Sequence, residues 1–207
     1  MYIPSAFEET DLAAMHDTMR AARLANLVTA TADGLIVTPL PLMFDATDGP
    51  YGVLHGHLAR ANPQWRTPPI GEVCVIVMGP DAYVSPSWYA TKQETHRVVP
   101  TWNYIAVHAY GTAEFYDDAA RLHDVVTRLS EQHEQAGAKP WAVSDETAPF
   151  IAAQLKGIVG LRLPITRLEG KRKMSQNRTE ADRAGVAAGL AESADAADRE
   201  VAALIPR

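Results

Sequence analysis

The chain has 207 residues, 47% of them hydrophobic and 21% charged, with 19 basic against 25 acidic side chains. That length suits one domain with its own core, and the net charge of −6 argues against a generic binder of nucleic acid or anionic membrane. Cys74 is the only cysteine and sits in the apolar run Val73 to Met78, so neither a disulfide framework nor a cysteine-based metal site is expected. No apolar run reaches membrane-spanning length and Met1-Tyr2-Ile3-Pro4 starts no signal peptide, which makes a cytoplasmic location the expectation.

Leu12, Met15 and Met19 recur at helical spacing behind a possible N-cap at Thr10. Asn26 to Ala32 and Leu35 to Phe44 read as strands joined at Asp33-Gly34, and Asp48-Gly49-Pro50 turns the chain into a third, Tyr51 to His57. Val73 to Met78 is extended and ends at Gly79-Pro80-Asp81, followed by Ala82 to Ser85 and the long run Thr101 to Tyr116. Leu122, Val125, Val126 and Leu129 mark an amphipathic helix capped near Asp117 and stopped around Gly137. A helical patch near Ala148 to Leu155 precedes extended segments at Ile158 to Leu168 and Arg172 to Gln176. From about 179 to 207 the chain is alanine-rich and helical, with Gly185 and Gly189 counting against it. Tight turns between the early strands predict an antiparallel sheet closed into a β-barrel with peripheral helices, an α+β fold in a single domain over 1–207.

Three stretches carry residue types that a fold alone does not need. In Tyr83 to Tyr110, rigid aromatics and neutral hydrogen-bonding groups replace aliphatics. Read as a strand from Thr101, this stretch puts Asn103 on one face and Trp102 on the other, at the rim of a pocket. Between Gly56 and Trp65, His57, Arg60 and Asn62 come from one short span, and a guanidinium beside imidazole and amide groups suits a phosphate monoester. In Gly170 to Arg178, basic residues lead into Ser175, Gln176 and Asn177, a run disfavoured in a strand and suited to a polar ligand. His55 and His57 share a strand face; with no third ligand in register they are read as hydrogen-bonding groups, and no metal is expected. His133-Glu134 opens like a zinc-protease motif, but Gly137 stands where the second histidine belongs. His96 and His108 are read as structural.

The opening MYIP with Phe7, and the segments GHLARANPQW, YVSPSWY, VPTWNY, VHAYG and GKRKMSQNR, taken in order, resemble the PaiB-type FMN-binding family, described as negative transcriptional regulators. The resemblance implies an FMN-binding split β-barrel of the pyridoxamine-phosphate-oxidase-like kind, a homodimer, and FMN at the dimer interface. It places the FMN phosphate near His57, Arg60 and Asn62, with Thr38, Pro39, Leu40, Leu54, His55 and Gly56 along the ring and ribityl chain. Ser175, Gln176 and Asn177 become polar flavin contacts, and Trp102 and Asn103 border the flavin or a small-molecule substrate. Arg172 departs from the aromatic expected in the family's GKWKxSQN segment. Three functions stay open: an FMN-dependent oxidoreductase, a flavin-linked or transcriptional regulator acting through DNA or a protein partner, and a haem-binding split barrel.

Overall fold

The computed structural model describes residues 1–134 and 139–207, with Gln93 and Glu94 described by backbone alone. Its strands are β1 (Glu8–Glu9), β2 (Ala25–Thr31), β3 (Gly34–Leu40), β4 (Met43–Asp45), β5 (Val53–Ala59), β6 (Val73–Val84), β7 (Thr101–Gly111), β8 (Glu114–Tyr116) and β9 (Ile158–Lys173). The helices are α1 (Leu12–Ala21), α2 (Thr91–Thr95), α3 (Ala119–Glu134), α4 (Ala148–Leu155), α5 (Glu180–Ala191) and α6 (Ala196–Leu204). The sheet runs β3-β2-β6-β7-β9-β5-β4, with β1 and β8 also on β9. The β1/β9, β2/β3, β2/β6, β4/β5, β5/β9 and β8/β9 pairs are all antiparallel, as the tight turns predict.

Several boundaries differ from the sequence reading, each for a local reason. The β2–β3 hairpin closes on Thr31 opposite Gly34, so its loop residues are Ala32 and Asp33 rather than Asp33 and Gly34. Gly34 takes a φ of 120°, a region open to glycine because it lacks a Cβ. β3 ends at Leu40 instead of Phe44: Pro41 offers no N–H to a ladder, and Met43–Asp45 pairs with β5 instead. β6 runs on through Gly79-Pro80-Asp81, while its buried positions switch from Val73, Val75 and Val77 to Ala82 and Val84. β9 is likewise continuous past Leu168 but stops at Lys173. Ser175 then adopts a φ of 63°, so Met174 to Asn177 form a turn rather than strand. Asp11, not Thr10, caps α1 by accepting from the Ala13 N–H at 2.9 Å. The cap expected near Asp117 is Asp118, which accepts from the Arg121 N–H at 2.9 Å. The expected helix stop at Gly137 lies outside the described residues.

Two compact units divide the chain: a terminal unit of Met1–Thr18, Met78–Val107 and Glu169–Arg207, and a central unit of Met19–Val77 and His108–Leu168. The terminal unit has a core of Val84, Tyr89, Ile105, Met174, Val186, Leu190, Val201 and Ile205. Here the expected C-terminal helical segment is two helices, α5 and α6. Gly185 and Gly189, four apart on one face of α5, meet Trp88: a Cβ on Gly185 would lie 2.0 Å from the Trp88 carbonyl oxygen, and one on Gly189 2.4 Å from its indole. The buried Asp182 carboxylate accepts from the Thr91 N–H at 2.9 Å. The central unit buries Leu27, Val53, Val75, Leu161 and Leu163 almost completely, and α3 adds Val125 and Leu129 against Met43.

Candidate functional site

β5 sets out the histidines. Its alternation puts His55 and His57 on one face and Leu54 and Gly56 on the other. The Gly56 side is filled by the chain, since a Cβ there would come within 2.6 Å of Leu42 and 3.0 Å of the Pro41 oxygen. Leu40 and Leu54 are buried at 3% and 1% exposure. The histidine side is more open. His57 pairs across to Gly160, and Gly160 in turn to Tyr116, whose ring occupies the space a side chain on Gly160 would need. His57 Nδ1 is buried with no hydrogen-bond partner among the described residues, and burial lowers the imidazole pKa. Burial, then Arg128 and Arg162, also lower that of His55. His55 opens on a cavity of about 310 Å³ lined with Tyr116, Arg121, Asp124 and Arg128.

Arg60, Asn62 and Thr38 are tied into the scaffold. Arg60 Nε donates to the Lys156 oxygen at 2.8 Å and Nη2 to the Ile158 oxygen at 3.0 Å, while Nη1 lies 3.7 Å from Asp117. The guanidinium thus joins the end of β5 to the start of β9, with three of its five N–H groups outside those two bonds. Asn62 Oδ1 accepts from the Gln64 N–H at 2.9 Å, and its Nδ2 donates to Thr38 Oγ1 at 2.9 Å. Thr38 passes its own hydrogen to Gln64 Oε1. Gln64, 1% exposed, completes the network by donating to the Leu27 oxygen at 3.0 Å and Thr29 Oγ1 at 2.8 Å. Pro39, beside this network, is exposed.

In the terminal unit the candidates converge. Asn103 and Ser175, 1% and 4% exposed, hydrogen-bond at 3.1 Å, and both line a pocket of about 140 Å³ with Thr101, Lys173, Asn177 and Arg178. Lys173 Nζ donates to Thr101 Oγ1 at 2.5 Å and to the Trp102 oxygen. Arg178 lies 4.6 Å from the centre of the Tyr89 ring. Gln176 turns back into the backbone, accepting from the Met174 N–H at 2.6 Å and donating to the Arg172 oxygen. Trp102, on the opposite face from Asn103, is 53% exposed and meets Tyr83 edge-on at 6.1 Å.

Sequence reading does not single out Gln64 or Tyr116, and it assigns the basic cluster Lys171 to Arg178 to the site without naming Lys173 and Arg178 as contacts. Lys173 and Arg178 were in view within a basic run, which by itself is most often a solvated face. The signal that could have raised them is their position flanking Ser-Gln-Asn, where a turn returns both cations to one pocket. Among the described residues no group of His, Cys, Asp and Glu is arranged to hold a metal ion, and no helix is long and apolar enough to cross a membrane.

Set beside known proteins, residues 1–167 match the family described as "Putative FMN-binding domain". The chain is 36% identical over 184 residues to the protease synthase and sporulation protein PAI 2 of Bacillus subtilis, covering 88% of this chain and 85% of that one. In fold it is similar to the flavocytochrome Anf3 of Azotobacter vinelandii, at a TM-score of 0.58 and 16% identity over 86% of this chain and 75% of that one. A FAD- and haem-binding protein of Mycobacterium smegmatis gives 0.57 and 18% over 80% and 73%. The fold is the FMN-binding split β-barrel, an antiparallel sheet with peripheral helices. This chain belongs to the PaiB-type FMN-binding family, and its cofactor is a flavin. Each unit by itself carries donors suited to a phosphate-bearing polar cofactor: in the central unit a buried imidazole nitrogen has no partner among the described residues, and in the terminal unit cations line a pocket that no carboxylate lines.

Proposed function

We propose that the protein is a cytoplasmic, homodimeric flavoprotein with one FMN-binding domain over 1–207, and that it moves electrons between the flavin and a small molecule. The family match over residues 1–167 carries this reading. Fold neighbours named as a flavocytochrome and as a FAD- and haem-binding protein support the redox half. The flavin supplies the electron chemistry when bound; the chain binds it, orients it and keeps water away. In the central unit, His57 offers an unclaimed Nδ1, Asn62 a second amide hydrogen, and Arg60 its remaining N–H groups toward the phosphate. Thr38, Pro39, Leu40, Leu54, His55 and Gly56 border the ring and ribityl chain. In the terminal unit, Asn103, Ser175, Gln176 and Asn177 offer polar contacts, with Trp102 at the rim.

A regulatory reading has one observation behind it, the Bacillus relative's name, which ties that protein to protease synthesis and sporulation. The two separate on the purified protein. We expect flavin absorption bands that bleach anaerobically with NADH or NADPH. A colourless protein that takes up no added FMN overturns the flavin reading. Bound flavin that neither donor reduces, together with a gel shift of promoter DNA, would favour regulation.

A further inference from the structure

The pocket at the start of β7 collects positive charge that no carboxylate answers among the described residues. Lys173 and Arg178 both line it and no Asp or Glu does. Neither cation forms an ion pair among the described residues. Their partners are neutral: Lys173 donates to Thr101 and the Trp102 oxygen and lies 5.9 Å from the Phe7 ring centre, and Arg178 lies over the Tyr89 ring. Lys171 lines no part of the pocket and donates to the Tyr2 oxygen at 3.1 Å. Burial, then Lys171 and Arg178, lower the pKa of the Lys173 ammonium, a repulsion that a bound anion would relieve.

Neutral donors surround the two cations. Thr101 receives the lysine's bond on its oxygen and so keeps its own hydroxyl hydrogen. Asn103 Nδ2 has a second hydrogen beyond the one given to Ser175. Tyr89, whose buried hydroxyl has no partner among the described residues, also lines the space. At about 140 Å³ the pocket falls below the roughly 300 Å³ of sites that enclose a whole drug-sized ligand. It has room for one end of a molecule.

We propose that this pocket is an oxyanion subsite in which Lys173 and Arg178 grip the phosphate or carboxylate group of a small ligand, while Thr101 and Asn103 donate to its remaining oxygens. Two sources share that chemistry: the phosphate of FMN itself, and a separate anionic substrate. The pocket shares Asn103, Ser175 and Asn177 with the flavin contacts proposed above; anion binding rests on the pocket's own charge and donors, and only the choice of occupant rests on the flavin reading.

Calorimetric titration of the full chain with inorganic phosphate, at constant ionic strength against chloride, tests it. Lys173→Met and Arg178→Met should each weaken binding by about tenfold or more, the scale of a lost charge-assisted hydrogen bond, and Lys173→Arg should restore most of it. Arg178→Gln, at the half-exposed rim, keeps the test decisive if Lys173→Met lowers the melting temperature. Repeating the titration with saturating FMN separates the sources: competition identifies the cofactor's phosphate as the occupant, and undiminished binding identifies a separate anion. Phosphate that does not bind the wild-type chain, or that binds it and both methionine variants equally, overturns the subsite.

Discussion

At the scale of single residues, His57 combines two burial effects in the central unit. Its Nδ1 is buried with no partner among the described residues, and burial puts its folded-state pKa below the ordinary 6.5. His55 is lowered as well, by burial, Arg128 and Arg162. Between the lowered folded values and 6.5 the unfolded chain binds more protons than the folded one, so stability rises with pH in that window. The contribution is complete above pH 6.5 and is lost as the pH falls toward the folded values. We therefore expect urea unfolding midpoints to drop below pH 6.5, with a slope of at most about 1.4 kcal/mol per pH unit from His57 and a smaller one from the more exposed His55, whose charge the solvent screens. His57→Gln should flatten the profile. An unchanged slope in that variant would show that His57 charges as readily in the folded protein as in the unfolded chain.

Among the elements, α5 reverses the usual arithmetic of glycine. Replacing a helical glycine with alanine ordinarily adds up to about 1 kcal/mol of stability. Gly185 and Gly189 instead form the face on which the helix meets Trp88, so the missing side chains are part of the packing. Gly185→Ala should destabilise by about 1–3 kcal/mol, because the obstacle is a backbone carbonyl that cannot swing aside. Gly189→Ala should cost less, since it meets an indole that can turn. Thermal melting of both variants checks this, and a raised melting temperature in Gly185→Ala would mean that α5 simply shifts away from Trp88.

Over the whole molecule, the sequence was most informative where one physical rule acts locally. The Asp33-Gly34 turn signal found the β2–β3 hairpin to within one residue, and the spacing of Leu122, Val125 and Leu129 found the buried face of α3. The polar run Ser175 to Asn177 points to its pocket, but the extended reading of Arg172 to Gln176 carries the strand two residues past Met174, because the left-handed φ of Ser175 depends on packing that neighbouring residues do not reveal. The length of β9 was hidden by Arg167, Glu169 and Gly170, which break its apolar pattern. Gln64 was hidden for a different reason: its partners Leu27, Thr29 and Thr38 lie 37, 35 and 26 positions away.

That side chain also gives the protein an internal clock. Both hydrogens of the Gln64 carboxamide point at protein acceptors on β2, and the residue is 1% exposed, so neither can trade with solvent deuterium until the strands around it part. A side-chain amide in water exchanges freely; this one should persist as long as the slowest backbone amides of β2 and β6, whose lifetimes report global opening. In a ¹⁵N spectrum, its paired Nε2 signals would be a single-residue record of how often the central unit comes apart.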